Sequence, residues 1–186
     1  MQAEHIDAFL ASAFAVLTEQ ARAQPDRGSP LLRSGGIRSA RELTALVRIE
    51  GDLTGVILYS MSLATADKLR GSLTPLAAET GQSAQEMVLQ TAQTIASGGV
   101  ERLSQLGAVC QTNENLIICG FGELLLIAVT LLVVPIFTRY GDMDIGVAVH
   151  AKDGLAPGLE LIAGGGSRSP GSCELRPIHT TEVSAA

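Results

Sequence analysis

The chain has no tryptophan, two tyrosines and four phenylalanines in 186 residues, so a base-stacking surface has almost nothing to build with. Cations are scarce as well. Thirteen Lys and Arg stand against 19 Asp and Glu, a formal charge of −6, and the basic residues are scattered. Neutralising phosphates takes clustered Lys and Arg, so nucleic acid is not the expected partner.

Cysteine is nearly missing too. Cys110, Cys119 and Cys173 are odd in number and lack C-x-x-C spacing. That argues against a disulfide framework or a zinc site and fits a reducing compartment. Cys110 and Cys119 read instead as small buried hydrophobes. His5, His150 and His179 lie far apart without paired metal-ligand spacing, so no metal site is expected. No G-x-S-x-G elbow nominates a nucleophilic serine. The glycines at 35–36 and 164–166 are not followed by Lys-Ser/Thr and link no strand to a helix, so they read as loop. The N-terminus shows no basic stretch leading into an apolar core, and the expected location is the cytoplasm.

Long membrane-type runs are also lacking. The uncharged part of "GELLLIAVTLLVVPIF", residues 124–137, covers 14 residues, short of the roughly 20 a membrane helix needs. Pro135 and the density of Val, Ile and Thr favour strands, and no membrane span is expected.

What is present suits one folded domain. Apolar residues make up 46% and charged ones 17%, enough to bury a core. Ile6, Phe9, Leu10, Phe14, Leu17 and Ala21 form an apolar stripe on a helix running from Ala3 to about Gln24, which "QPDRGSP" then breaks. "ELTALVRIE" and "LTGVILYSMS", joined by Gly51-Asp52, read as a β-hairpin. Ala45, Val47 and Ile49 share one of its faces, and Leu46, Arg48 and Glu50 the other. Ser62 is a natural N-cap for a short helix ending near Gly71. After Gly107 the apolar pattern predicts three or four strands, with turns at Gly122 and "RYGD". The order predicts an α+β domain over residues 1–153, with helices on one face of a mainly antiparallel sheet. Residues 154–186, rich in Gly, Ser and Pro, read as a flexible tail.

The long helix in "SAQEMVLQTAQTIASGGVERL" carries the most informative pattern. Glu86, Gln90, Gln93 and Ser97 fall within about 60° of arc at 100° per residue, and Glu101 and Ser104 extend the stripe. Ala84, Val88, Ala92, Ile95, Gly99, Leu103 and Leu106 form the core-facing side. Ser83 and Glu86 have capping-box spacing. Gly98-Gly99 inside the helix imply close approach by a neighbouring backbone or a local bend.

At "EGDLTGVILYSMSLATADKL" the sequence resembles the CheX-like chemotaxis phosphatases of the wider CheC/FliY/CheX group. Gly51, Asp52, Leu53, Gly55, Met61, Ser62, Ala66, Lys68 and Leu69 carry the resemblance. "VTLLVVPIFTRYGDMDIGVAV" extends it, and together these segments span most of residues 6–152. The resemblance implies an α+β fold whose sheets join across a homodimer, and a phosphorylated CheY-like response regulator as partner. It also implies an E-x-x-N signature on the long helix. There the Glu pairs with a regulator lysine and the Asn orients the attacking water, while Mg²⁺ belongs to the receiver and the chain itself binds no cofactor.

Aligned so, Glu86 takes the first acidic position, Gln90 replaces the Glu and Gln93 the Asn. Gln90 and Gln93 are thus the candidate catalytic residues, and Glu86 and Ser97 the candidate partner-binding ones. Gln93 carries the same amide as Asn on a longer arm. Gln90 lacks the charge that roughly doubles a hydrogen bond to lysine. A register shifted by one residue brings up Thr91 and Thr94 instead. The resemblance therefore leaves two functions open, phosphatase or non-catalytic binding and dimerisation module.

Overall fold

The alternation in the hairpin sets the architecture. In the computed structural model, which describes residues 3–34, 36–38, 41–73, 83–120, 124–127, 130–151 and 159–161, β4 (Leu43–Gly51) and β5 (Leu53–Met61) pair antiparallel. Ala45, Val47 and Ile49 are buried in the main core, as their shared face requires. The other face is not simply solvated. Leu46 is buried there with Val56, Leu58, Ile118, Leu131 and Ala148 in a second, smaller cluster. Burial on part of the second face explains why Leu46 interrupts an otherwise polar set with Arg48 and Glu50.

Short strands precede the hairpin: β1 (Asp26–Arg27), β2 (Leu31–Arg33) and β3 (Gly36–Arg38). After the helices come β6 (Cys110–Cys119), β7 (Leu124–Ile127), β8 (Leu131–Thr138), β9 (Gly141–Ala151) and β10 (Leu159–Leu161). The larger sheet runs β1-β8-β9-β5-β4-β6, with β2 also on β8, and the smaller runs β10-β7-β3. All described pairings are antiparallel. The expected turn at Gly122 and residues 162–186 lie outside the described residues. Leu159–Leu161, inside the segment read as a tail, pairs with β7.

Helices α1 (Ala3–Ala15), α2 (Leu63–Leu73) and α3 (Ala84–Gln105) pack on the face bearing the main core. The first helix is shorter than its apolar stripe implies. It opens into a π-turn at Val16–Gln20, where Ala21 N–H reaches back to the Val16 carbonyl and Ala23 N–H to that of Leu17. Arg22 and Gln24 then take positive φ. Ser62 caps α2, its Oγ accepting from Thr65 N–H at 3.0 Å.

Gly98 and Gly99 are explained by α1. A Cβ on Gly99 would lie 2.2 Å from the Phe9 ring, and one on Gly98 would lie 2.4 Å from Ser12 Oγ. The expected neighbouring backbone is thus not what comes close; the neighbours are the Phe9 and Ser12 side chains. Ser12 Oγ also donates to the Ile95 carbonyl at 2.8 Å, locking the two helices. Leu106 departs from its core-facing assignment, because it is the C-cap of α3 and is 54% exposed. Cys110 and Cys119 are half-buried, since β6 pairs only with β4 in the sheet order.

Two contrasts test this packing in urea melts. Gly71→Ala, where nothing lies within 4 Å, should stabilise by about 1 kcal/mol, whereas Gly99→Ala should destabilise by about 1 kcal/mol or more. Tyr59 is fully buried, its hydroxyl has no hydrogen-bond partner among the described residues, and burial pushes its pKa up. Tyr59→Phe should therefore stabilise by about 1 kcal/mol.

Candidate functional site

The polar stripe begins at a firmly built helix start. Ser83 N–H donates to Glu86 Oε2 at 2.8 Å, Ser83 Oγ donates to the same oxygen at 3.0 Å, and Glu86 N–H returns to Ser83 Oγ at 3.2 Å. This is a complete capping box, and it starts α3 where the Ser-x-x-Glu spacing predicts. The bond from Ser83 N–H, followed by that from the Ser83 hydroxyl, holds the Glu86 carboxyl below its usual pKa.

Beyond the cap, α3 brings the candidate residues onto one outward side. Glu86, Gln90 and Ser97 are exposed and Gln93 is half-buried. Glu101 and Ser104 continue the exposed line. The alternative register fares worse, because Thr91 Oγ1 donates to the Met87 carbonyl at 2.8 Å and Thr94 Oγ1 to that of Gln90 at 3.0 Å. Both threonine hydroxyls serve their own helix.

A groove of about 520 Å³ borders the stripe between α1 with its π-turn and α3. Thr94, Gly98 and Glu101 line one wall, and Ser12, Val16 and Glu19 the other. The sequence carries no sign of this groove, because the π-turn that places Glu19 there looks like ordinary helix in an apolar-periodicity reading. Among the described residues no group of His, Cys, Asp and Glu could hold a metal ion. No described helix is long and apolar enough to cross a membrane.

Most residues that carry the family resemblance turn out to build the scaffold. Asp52 N–H donates to the Val109 carbonyl at 2.9 Å, and its Oδ2 accepts from Val109 N–H at 2.8 Å. The hairpin turn is thereby pinned to the loop leaving α3. Gly51 has φ +140° and faces the Val109 carbonyl so closely that a Cβ would lie 2.2 Å from it. Met61, Ala66 and Leu69 are core, and Ser62 is a cap.

The capping box gives a pH-dependent prediction. Because the folded pKa of Glu86 is lowered, its contribution to stability is full above the ordinary glutamate pKa and is lost as pH falls through the lowered value. Glu86→Gln should therefore destabilise at neutral pH, and the difference from wild type should shrink in acid. Urea melts at neutral and acidic pH measure it.

No protein-family model and no curated protein matches the sequence. Solved structures do match. A chemotaxis protein CheX from Desulfovibrio desulfuricans is similar over 79% of this chain and 99% of its own, with 20% identity and a TM-score of 0.68. A CheC-like superfamily protein from Shewanella sp. PV-4 is similar over 81% and 100%, with 15% identity and a TM-score of 0.68. CheX from Borrelia burgdorferi, solved as a CheX–CheY–BeF3–Mg²⁺ complex, is similar over 80% and 99%, with 21% identity and a TM-score of 0.58. The structural match covers nearly the full length of these neighbours, and the chain has the CheX/CheC-like α+β fold.

Proposed function

We propose that this chain is a cytoplasmic chemotaxis-type signalling protein that docks a phosphorylated CheY-like receiver domain on the outer stripe of α3. The observation that carries the reading is the placement of Gln90 and Gln93 together on the outward side of a capped helix in a CheX-like fold. The Borrelia neighbour was solved bound to CheY with BeF3 and Mg²⁺, which supports the same partner class here. The protein acts as a homodimer, and Mg²⁺ belongs to the receiver.

In this reading Gln93 holds a water in line with the aspartyl phosphate through its side-chain amide. The water oxygen bonds to phosphorus, the bond to the aspartate oxygen breaks, and inorganic phosphate leaves with the carboxylate regenerated. Gln90 hydrogen-bonds the receiver lysine as a neutral acceptor, and Glu86 and Ser97 contact the receiver at the margins. Catalysis is positioning with little electrostatic help from this chain.

One observation favours a second reading, docking without hydrolysis. The Glu86 carboxylate is engaged by Ser83, and Gln90 carries no charge, so neither position offers an uncommitted carboxylate to a lysine. Phosphate release from a phosphorylated cognate receiver separates the two. Acceleration over spontaneous decay supports hydrolysis, and binding without acceleration supports docking alone.

If hydrolysis occurs, Gln93→Ala should cut the accelerated component by about 10²-fold, the loss expected when a reactant is no longer held in place. Gln90→Glu should raise it by roughly 5- to 10-fold, the worth of about 1 kcal/mol of charge assistance. Unchanged rates in both variants would place the working face elsewhere.

A further inference from the structure

The groove beside the stripe is lined by the ends of two helices. Val16, Glu19 and Gln20 come from the π-turn that closes the first helix, and Glu101, Arg102 and Gln105 from the end of α3. Two helix C-termini therefore open onto one groove, and each carries a partial negative charge of about half an elementary charge. Ser12 and Thr94 add hydroxyls to the lining. Ser12 Oγ donates to the Ile95 carbonyl at 2.8 Å and Thr94 Oγ1 to the Gln90 carbonyl at 3.0 Å. With those protons committed, both oxygens have only lone pairs left to offer.

Folding alone does not account for Glu19. A carboxylate near the C-terminal end of a helix is repelled by the carbonyl end of the dipole, where Lys or Arg is stabilising. The end of α3 follows that rule with Arg102, whereas neither α1 nor its π-turn has a basic residue in its last turn. Arg22, the next cation along the chain, acts on the Tyr140 phenol and does not line the groove. Glu19 and Glu101 also stand on the two walls of the same groove, an arrangement that a cation between them relieves. Together with Arg102 they leave a net charge of −1 on the lining, two carboxylates against one guanidinium, the complement of a single basic side chain.

We infer that the groove belongs to the docking face and receives one lysine or arginine side chain of the docked receiver, held between Glu19 and Glu101. This rests on the reading of α3 as the docking helix. At 100° per residue Thr94, Glu101 and Gln105 fall within about 40° of arc beside the stripe, and Glu101 belongs to both. A partner lying on the stripe thus also covers the groove. Its volume of about 520 Å³ lies within the roughly 300–1,000 Å³ of small-ligand sites, room for a whole long side chain. The π-turn is retained because it sets Glu19 against the partner, at the expense of the local fit of charge to helix.

Titration calorimetry of the full chain with the cognate CheY-like receiver, loaded with BeF3 and Mg²⁺, tests the groove. Glu19→Gln and Glu101→Gln should each weaken binding by about 5- to 10-fold, the loss of a charge-assisted contact. Glu4→Gln, the same charge change in the first turn of α1, should alter it by less than about two-fold. Replacing the receiver's surface Lys and Arg by Ala one at a time should find one position whose effect does not add to that of Glu19→Gln. In urea melts Glu19→Gln should be at least as stable as wild type, since it removes a carboxylate from a helix C-terminus. A loss of stability would assign Glu19 to the fold and overturn the inference. If Gln90→Ala/Gln93→Ala weakens binding and Glu19→Gln does not, or Glu4→Gln weakens it as much, the groove falls and the stripe reading stands. If the loaded receiver does not bind wild type, both fall.

Discussion

The contact between α1 and α3 is the constraint on which the rest of the domain depends. Phe9 and Ser12 press against Gly99 and Gly98, and Ser12 reaches across to the Ile95 carbonyl. Only a helix without side chains at those two positions can lie so close, and glycines inside a helix cost about 1 kcal/mol each relative to alanine. The close fit offsets that cost by burying Phe9 completely. It also sets the rotation of α3. With Gly99 turned inward against Phe9, the 3.6-residue period leaves Glu86, Gln90 and Ser97 facing out.

The scaffold and the proposed site are therefore carried by different residues of the same resemblance. Asp52 ties the hairpin to the segment after α3, and Gly51 makes room for that tie. These residues anchor the chain leaving the C-terminal end of α3 to the hairpin without contributing to the outer face of the helix. Their agreement with the CheX-like pattern speaks to fold, since a fold alone does not fix activity. The residues assigned to the proposed activity are few, and one of them, Glu86, has a structural duty at the helix start.

The legible parts of the fold were those with strong local signals. The hairpin followed from alternation around Gly51-Asp52, and the start of α3 from a capping box whose bonds all form. The stripe itself was legible because helical periodicity alone sets it. Less visible were features that need a third dimension. The π-turn at Val16–Gln20 keeps the apolar spacing of a helix, so its different hydrogen bonding leaves no local trace. The second apolar cluster around Leu46 is not visible in the hairpin's alternation, because alternation assigns sides but not what covers them. The meeting of the Tyr140 hydroxyl with the Ala21 carbonyl joins residues more than a hundred positions apart, beyond any sequence window.

Glutamine at position 90 changes the kind of interface that α3 can make. A carboxylate beside a phosphorylated site is stabilising only when a cation lies between it and the phosphoryl group; otherwise two anions are brought together. An amide carries no such penalty and presents both a donor and an acceptor. Glu86 and Glu101, 15 residues apart, bound the amide-bearing segment over roughly 22 Å of helix at 1.5 Å per residue. Negative charge thus sits at the ends of the stripe, and neutral hydrogen-bonding groups sit at its centre. If the stripe docks a receiver as proposed, its rim would act mainly on encounter and its centre on retention, because rim charges steer association and central groups hold the partner. The departure from Glu at position 90 is on this argument an exchange of ion-pair strength for tolerance of a phosphoryl group, which suits a docking face at least as well as a catalytic one.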